Sequence, residues 1–281
     1  MQTIKEFFTY STASKKTDWS NLLLCQECRY SGKKCYKTRK SAPDVAIGTC
    51  TVAYGKDESK DIVICPNRLL ERNQIFLDCL HLLTNHEPGN EIHIVSEVSI
   101  PGGSVDYVLI STDKNRKVKD FVGIELQTLD TTGSLWTERQ KFLYSKGLTQ
   151  SMPEEEKGFG MNWKMTAKTI LVQLHHKINT FEHLNRHFVL VVQDCLLNYI
   201  KREFAWEHIN TPAKLGDSMH FHSYELNKSK SEYKLHLLER FSTDSEGISR
   251  LLGLQANANL QFDEIARILE TKISDKTIIQ F

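Results

Sequence analysis

No run of apolar residues in this 281-residue chain approaches the roughly 18 needed to span a bilayer, so no membrane-spanning helix is expected. Residues 1–10 lack the continuous apolar stretch and small-residue cleavage site of a secretory signal, which predicts a cytoplasmic protein. With only 6 Pro and 14 Gly, neither a collagen-like period nor a long flexible linker is present. Internal repeats and low-complexity tracts are absent too. Charge of one sign is equally lacking: 36 Lys and Arg face 35 Asp and Glu, and the net charge of +1 says nothing by itself about a polyanionic partner. What remains, 40% hydrophobic and 25% charged, is the composition of an ordinary folded domain with a substantial core.

The distribution of two residue types is less ordinary. Arg29, Lys33, Lys34, Lys37, Arg39 and Lys40 follow one another without an intervening acid, a local patch suited to phosphate. Of 7 cysteines, Cys25, Cys28, Cys35, Cys50 and Cys65 fall in the first quarter of the chain. A reducing compartment disfavours disulfides, so clustered thiols there point to a metal. A thiolate site needs four soft donors, and Gly32, Gly48 and Pro66 beside the cysteines suit the turns that aim backbone amides at sulfur. Five candidates compete for four places, and the spacing leaves iron and zinc both open.

Downstream, apolar periodicity predicts a helix over 67–83, then three strands over 92–100, 105–111 and 118–129 joined by hairpin-type turns. A weak helix over 135–144, a polar loop over 150–160 and a long helix over 162–180 follow. The continuous apolar run 188–192 reads as a buried central strand. Beyond it come a helix over 195–206, strands over 219–226 and 233–238, and helices near 245–254 and 262–272. The order αβββαβ resembles the PD-(D/E)XK nucleases. The expectation is therefore an α/β, restriction-endonuclease-like nuclease domain over 67–281, with a C-terminal α/β extension, behind an N-terminal four-cysteine metal-binding lobe over 1–66.

In such a fold, carboxylates on the second and third strands converge on a divalent cation beside the scissile phosphate. Asp106 opens the second predicted strand, and Glu125 and Gln127 share one face of the third by period-two alternation. A strand carboxylate facing the interior must be paired or must hold a cation. Glutamine stands where these nucleases usually carry lysine, and an amide cannot replace an ammonium charge. Lys164, Lys168 and Lys177 on the long helix are candidates for the missing cation, with Lys168 at a favourable offset.

Cys35-Tyr36-Lys37, Gly48-Thr49-Cys50, Ile64-Cys65-Pro66-Asn67-Arg68 and Gly123-Ile124-Glu125-Leu126-Gln127-Thr128-Leu129-Asp130 followed by Gly133-Ser134 resemble the NotI-type restriction endonucleases. The resemblance implies a bacterial or archaeal type II enzyme that cleaves both strands of a specific duplex DNA site with Mg²⁺. It implies a homodimer, catalytic Asp106, Glu125 and Gln127 with the two acids on Mg²⁺, and one structural iron or zinc on Cys28, Cys35, Cys50 and Cys65. Cys25 is the rival to Cys28. The rival functions are an iron–sulfur nuclease of the same fold and a non-enzymatic, metal-stabilised DNA-binding protein.

Overall fold

The computed structural model describes residues 3–55, 58–153, 158–229 and 232–254, together with 267, 270 and 271. The chain opens with Ile4–Phe7 (β1) and Tyr10–Ser11 (β2), the helix Trp19–Cys25 (α1), the ribbon Thr38–Arg39 (β3) with Ala42–Ala46 (β4), and then Thr49–Tyr54 (β5) and Lys60–Val63 (β6). Four of these form a sheet in the order β2-β1-β5-β6, and the cysteine-bearing loop is inserted into it between β2 and β5.

The long helix expected over 67–83 does not form. Pro66–Asn73 winds as a 3-10 helix that breaks at Glu71, whose ψ is 115°, and at Arg72 and Asn73, whose φ values are 52° and 57°. Gln74–Leu77 (α2) and a 3-10 turn at Leu80–Leu82 complete the segment. The cause is tertiary. Arg68, fully buried, pairs with Glu6 on β1 at 2.6 Å and with Glu71 at 2.8 Å, and it donates to the Tyr233 carbonyl. Glu71 in turn accepts the Leu235 N–H at 2.9 Å. A continuous helix would pull Glu71 away from both partners, leaving buried charge unpaired.

The remainder carries a six-stranded mixed sheet. Glu91–Ile100 (β7), Gly103–Thr112 (β8) and Val118–Gln127 (β9) form an antiparallel meander. Thr131–Thr132 (β10) precedes Trp136–Ser145 (α3) and pairs with Gly160–Met161 (β11), which leads into the 21-residue helix Trp163–His183 (α4). His187–Gln193 (β12), Asp194–Glu203 (α5), Met219–Ser229 (β13), Glu232–Thr243 (β14) and Ser245–Leu251 (α6) follow. The order is β14-β13-β12-β9-β8-β7, with β9, β12 and β13 parallel. β12 is buried along its whole length, as its unbroken apolar run requires. The helix expected over 262–272 lies largely outside the described residues.

Side chains alternate across the sheet. Val122, Ile124 and Leu126 of β9 pack with Leu69, Ile75 and Phe76. The opposite face meets α4 through Val108, Phe188, Leu190, Ile170, Leu174 and Ile178. Val52, Ile62 and Ile64 of the N-terminal sheet join this second cluster, while α3 gives Phe142 and Leu143 to a third cluster with Ile4, Phe7 and Phe8. Among the described residues no helix is long and apolar enough to cross a membrane.

Candidate active site

The hydrogen-bonded ladder pairs Tyr107 of β8 with Ile124 of β9, so one further residue along sets Asp106 against Glu125. Asp106 Oδ2 accepts the Leu126 N–H at 2.8 Å, which turns the carboxylate across the gap between the strands. Glu125 lies on the α4 face of the sheet. Its Oε1 accepts from Lys177 Nζ at 2.7 Å, with Glu125 6% and Lys177 5% exposed. Oε2 of the same carboxylate is buried with no hydrogen-bond partner. Burial, followed by the charge of Asp106, pushes the Glu125 carboxyl up from its ordinary range against the pull of Lys177. Burial pushes Asp106 up as well, opposed by the Leu126 amide and Lys177 and reinforced by Glu97.

Backbone contacts hold Lys177 over this pair. The turn between β7 and β8 lies on α4, where Thr180 donates to the Pro101 carbonyl at 2.9 Å. Gly102, at φ 95°, approaches so closely that a Cβ there would collide with the His176 carbonyl. Lys164 and Lys168 are exposed, so the lysine that meets Glu125 is Lys177 and not Lys168. Gln127 is half-buried, and its amide nitrogen donates to the Thr128 carbonyl at 2.6 Å, away from any role as a cation.

A cleft of about 670 Å³ runs from Asp106, Glu97 and Tyr107 to Lys33, Lys34 and Tyr36 of the cysteine loop. The rest of the basic run is used differently. Arg29 packs on Tyr10 and Tyr30, and Arg39 lies over the Trp136 ring at 4.2 Å. Lys37 donates to the Ile64 carbonyl, and Lys40 is exposed.

The cysteines separate into a cluster and an outlier. Cys28, Cys50 and Cys65 are buried and Cys35 is half-buried, whereas Cys25 is exposed with its thiol towards Asn21. Cys50 and Cys65 share a hydrogen bond, and Cys35 and Cys50 each feel the charge of Cys28 and Cys65. Chiefly because Cys50 donates to it, and further through Lys37 and the amides of Asn67 and Arg68, the Cys65 thiol is lowered to about 6. Among the described residues no group of three or more His, Cys, Asp or Glu side chains is arranged as a ready-made metal cage. The Asn67 and Arg68 amides are directed at the Cys65 sulfur, and thiols are the donor type that soft metals take.

Two residues of this region escaped the sequence reading. Glu97 lines the cleft beside Asp106, and the register of the hairpin, Ile100 against Gly103, was the signal that places it there. Arg68 was read only as part of a motif, since nothing local indicates that its partners are Glu6 and Glu71. No protein-family model matches the chain, and no curated protein matches it.

Proposed function

We propose that this chain is a type II restriction endonuclease with a PD-(D/E)XK core of NotI type. It hydrolyses both strands of a specific duplex DNA site with Mg²⁺ and leaves 5′-phosphate and 3′-hydroxyl ends. The observation that carries the reading is Asp106 facing Glu125 across two central strands, with Glu125 Oε2 buried and unpartnered. A carboxylate oxygen shut off from water and from donors is costly unless a cation meets it. Two carboxylates raised by burial, with the charge of Asp106 adding to the rise at Glu125, have the character of a hard-cation site.

Asp106 and Glu125 are the residues that would hold Mg²⁺, which when bound supplies Lewis-acid stabilisation of the charge that grows on the phosphoryl group. Lys177 keeps Glu125 in one orientation and brings the ammonium that Gln127 lacks at the usual lysine position. Gln127 positions groups in the site and does not move a proton. Lys33 and Lys34, at the far side of the cleft, meet the DNA backbone, whose affinity is mainly electrostatic. Cys28, Cys35, Cys50 and Cys65 would hold one iron or zinc that braces the loop bearing these lysines. A homodimer matches its two-fold axis to a symmetric DNA site.

Incubating purified protein with supercoiled plasmid and Mg²⁺, with an EDTA control, tests the reading. Discrete linear fragments that depend on Mg²⁺ support it. Degradation from ends would favour an exonuclease, and tight binding without cleavage a DNA-binding protein.

A further inference from the structure

β7 ends the six-stranded sheet and pairs with β8 on one side only, so the N–H and C=O groups of its outer side meet no described strand. Natural edge strands of this length are guarded by Lys, by Pro or by a covering element. Glu91–Ile100 contains no Lys, Arg or Pro, and Ile92, Ile94 and Val95 are 39%, 43% and 43% exposed. The opposite edge differs. β14 carries Lys234, Glu239 and Arg240, and a bridge between Ser242 and Asn210 closes one end of it. Along β7 the left-handed Glu97, at φ 57°, breaks the flat edge, so the part open to pairing ends at Ser96. This open part also borders the candidate catalytic cleft, whose outer wall is Ile94 and Ser96.

We propose that β7 pairs antiparallel with β7 of a second copy of this chain, about a two-fold axis at His93. This rests on the homodimer of the functional reading and gives it an interface and a register. Residues opposed in an antiparallel pair share a face of the sheet, so a strand pairing with itself is centred on a residue and not between two. A centre at Ile94 sets Glu91 against the partner's Glu97, like charges directly opposed, and any centre beyond it draws the left-handed Glu97 further into the ladder. A centre before His93 shortens the ladder. At His93 the paired part runs from Asn90 to Ser96, Ile92 meets the partner's Ile94 twice, and Glu91 meets the partner's Val95. β7 is thus complementary to itself in one register, and an isologous contact of this kind closes after two copies. The axis stands perpendicular to the sheet, so the two clefts open on one face and their Ile94 and Ser96 walls adjoin.

The test is light scattering on the full chain, free of DNA, joined to cysteine cross-linking. Wild type should be a dimer. Ile92→Lys, at an exposed position of β7, should be a monomer with an unchanged circular dichroism spectrum, and Leu238→Lys, equally exposed on β14, should stay dimeric. In a Cys25→Ser background, His93→Cys should form a disulfide-linked dimer on mild oxidation, because the axis sets this position against itself, and Ser99→Cys should not. A dimer that persists in Ile92→Lys, with no cross-link through His93→Cys, would overturn the interface and leave the nuclease reading standing. A monomeric wild type would overturn it as well, whether its β7 amides exchange freely with deuterium or are covered by another strand. A dimer that behaves as expected but cuts no plasmid in Mg²⁺ would support the interface and remove the nuclease reading alone.

Discussion

Lys177 Nζ and Glu125 Oε1 lie 2.7 Å apart, both side chains almost wholly withdrawn from water. Removing one member of such a pair strands the other, so Lys177→Met should destabilise the fold by about 3–5 kcal/mol. The double variant Lys177→Met with Glu125→Gln should recover most of that loss, since neither charge then remains. Urea denaturation of the two single variants and the double variant checks this. Simple additivity would mean that the two groups do not act as a pair.

The same pair sets an expectation for Gln127. It shares a strand face with Glu125, so Gln127→Lys alone brings a second ammonium towards Lys177, and cleavage should fall by roughly 10²-fold. In the Lys177→Met background the same substitution should restore part of the activity, because one lysine then serves the site. Steady-state cleavage rates of the four proteins decide the matter, and a neutral Gln127→Lys in wild type would speak against the placement of Lys177.

The helix positions show how much of this was readable in advance. Lys168 and Lys177 are nine residues apart, roughly two and a half turns, so they point to opposite sides of α4. The buried stripe Thr166, Ala167, Ile170, Leu171, Leu174, Ile178 and Phe181 contains Lys177 near its edge and excludes Lys168, a pattern present in the sequence. The positions of Asp106 and Glu125 on neighbouring strands were legible because long strands carry them. The N-terminal strands were not, since several span only two to five residues and lack any period. The break at Glu71 to Asn73 was hidden for another reason: it depends on Glu6 and Leu235, each more than sixty residues away.

Arg68 ties β1, the 3-10 segment and β14 through Glu6, Glu71 and the Tyr233 carbonyl. Arg68→Met leaves two buried carboxylates without a counter-charge and should cost about 3–5 kcal/mol. Thermal melting should reveal the loss. A melting temperature within a degree of wild type would show that the network is not needed.

The cysteine cluster makes its own prediction. Elemental analysis should find about one iron or zinc per chain. Cys25→Ser should retain it, because Cys25 is exposed and directed at Asn21, whereas Cys28→Ser should lose it. Retention in Cys28→Ser with loss in Cys25→Ser would reverse the assignment.

The carboxyls of Asp106 and Glu125 are raised by burial and by their acidic neighbours, so the folded state favours their protonated forms. In EDTA their effect on stability is therefore least unfavourable at low pH and grows more unfavourable as pH rises through the raised values. Asp106→Asn should then stabilise the metal-free protein at pH 7 by about 1 kcal/mol, as read by thermal melting. Divalent-cation affinity should run the other way. It should weaken on acidification at a higher pH than unperturbed carboxylates would allow, and calorimetric titration across pH 5 to 8 would detect a flat profile if the pair were not the site.

The most direct measurement is single-turnover cleavage of an end-labelled duplex in Mg²⁺ by wild type, Asp106→Ala and Glu125→Ala, with DNA affinity measured on the same proteins in Ca²⁺. Cleavage should drop by roughly 10³-fold or more in both variants, while binding persists or tightens as repulsion between carboxylate and phosphate is relieved. Wild-type cleavage rates in both variants would contradict the assignment of Asp106 and Glu125 as the catalytic centre.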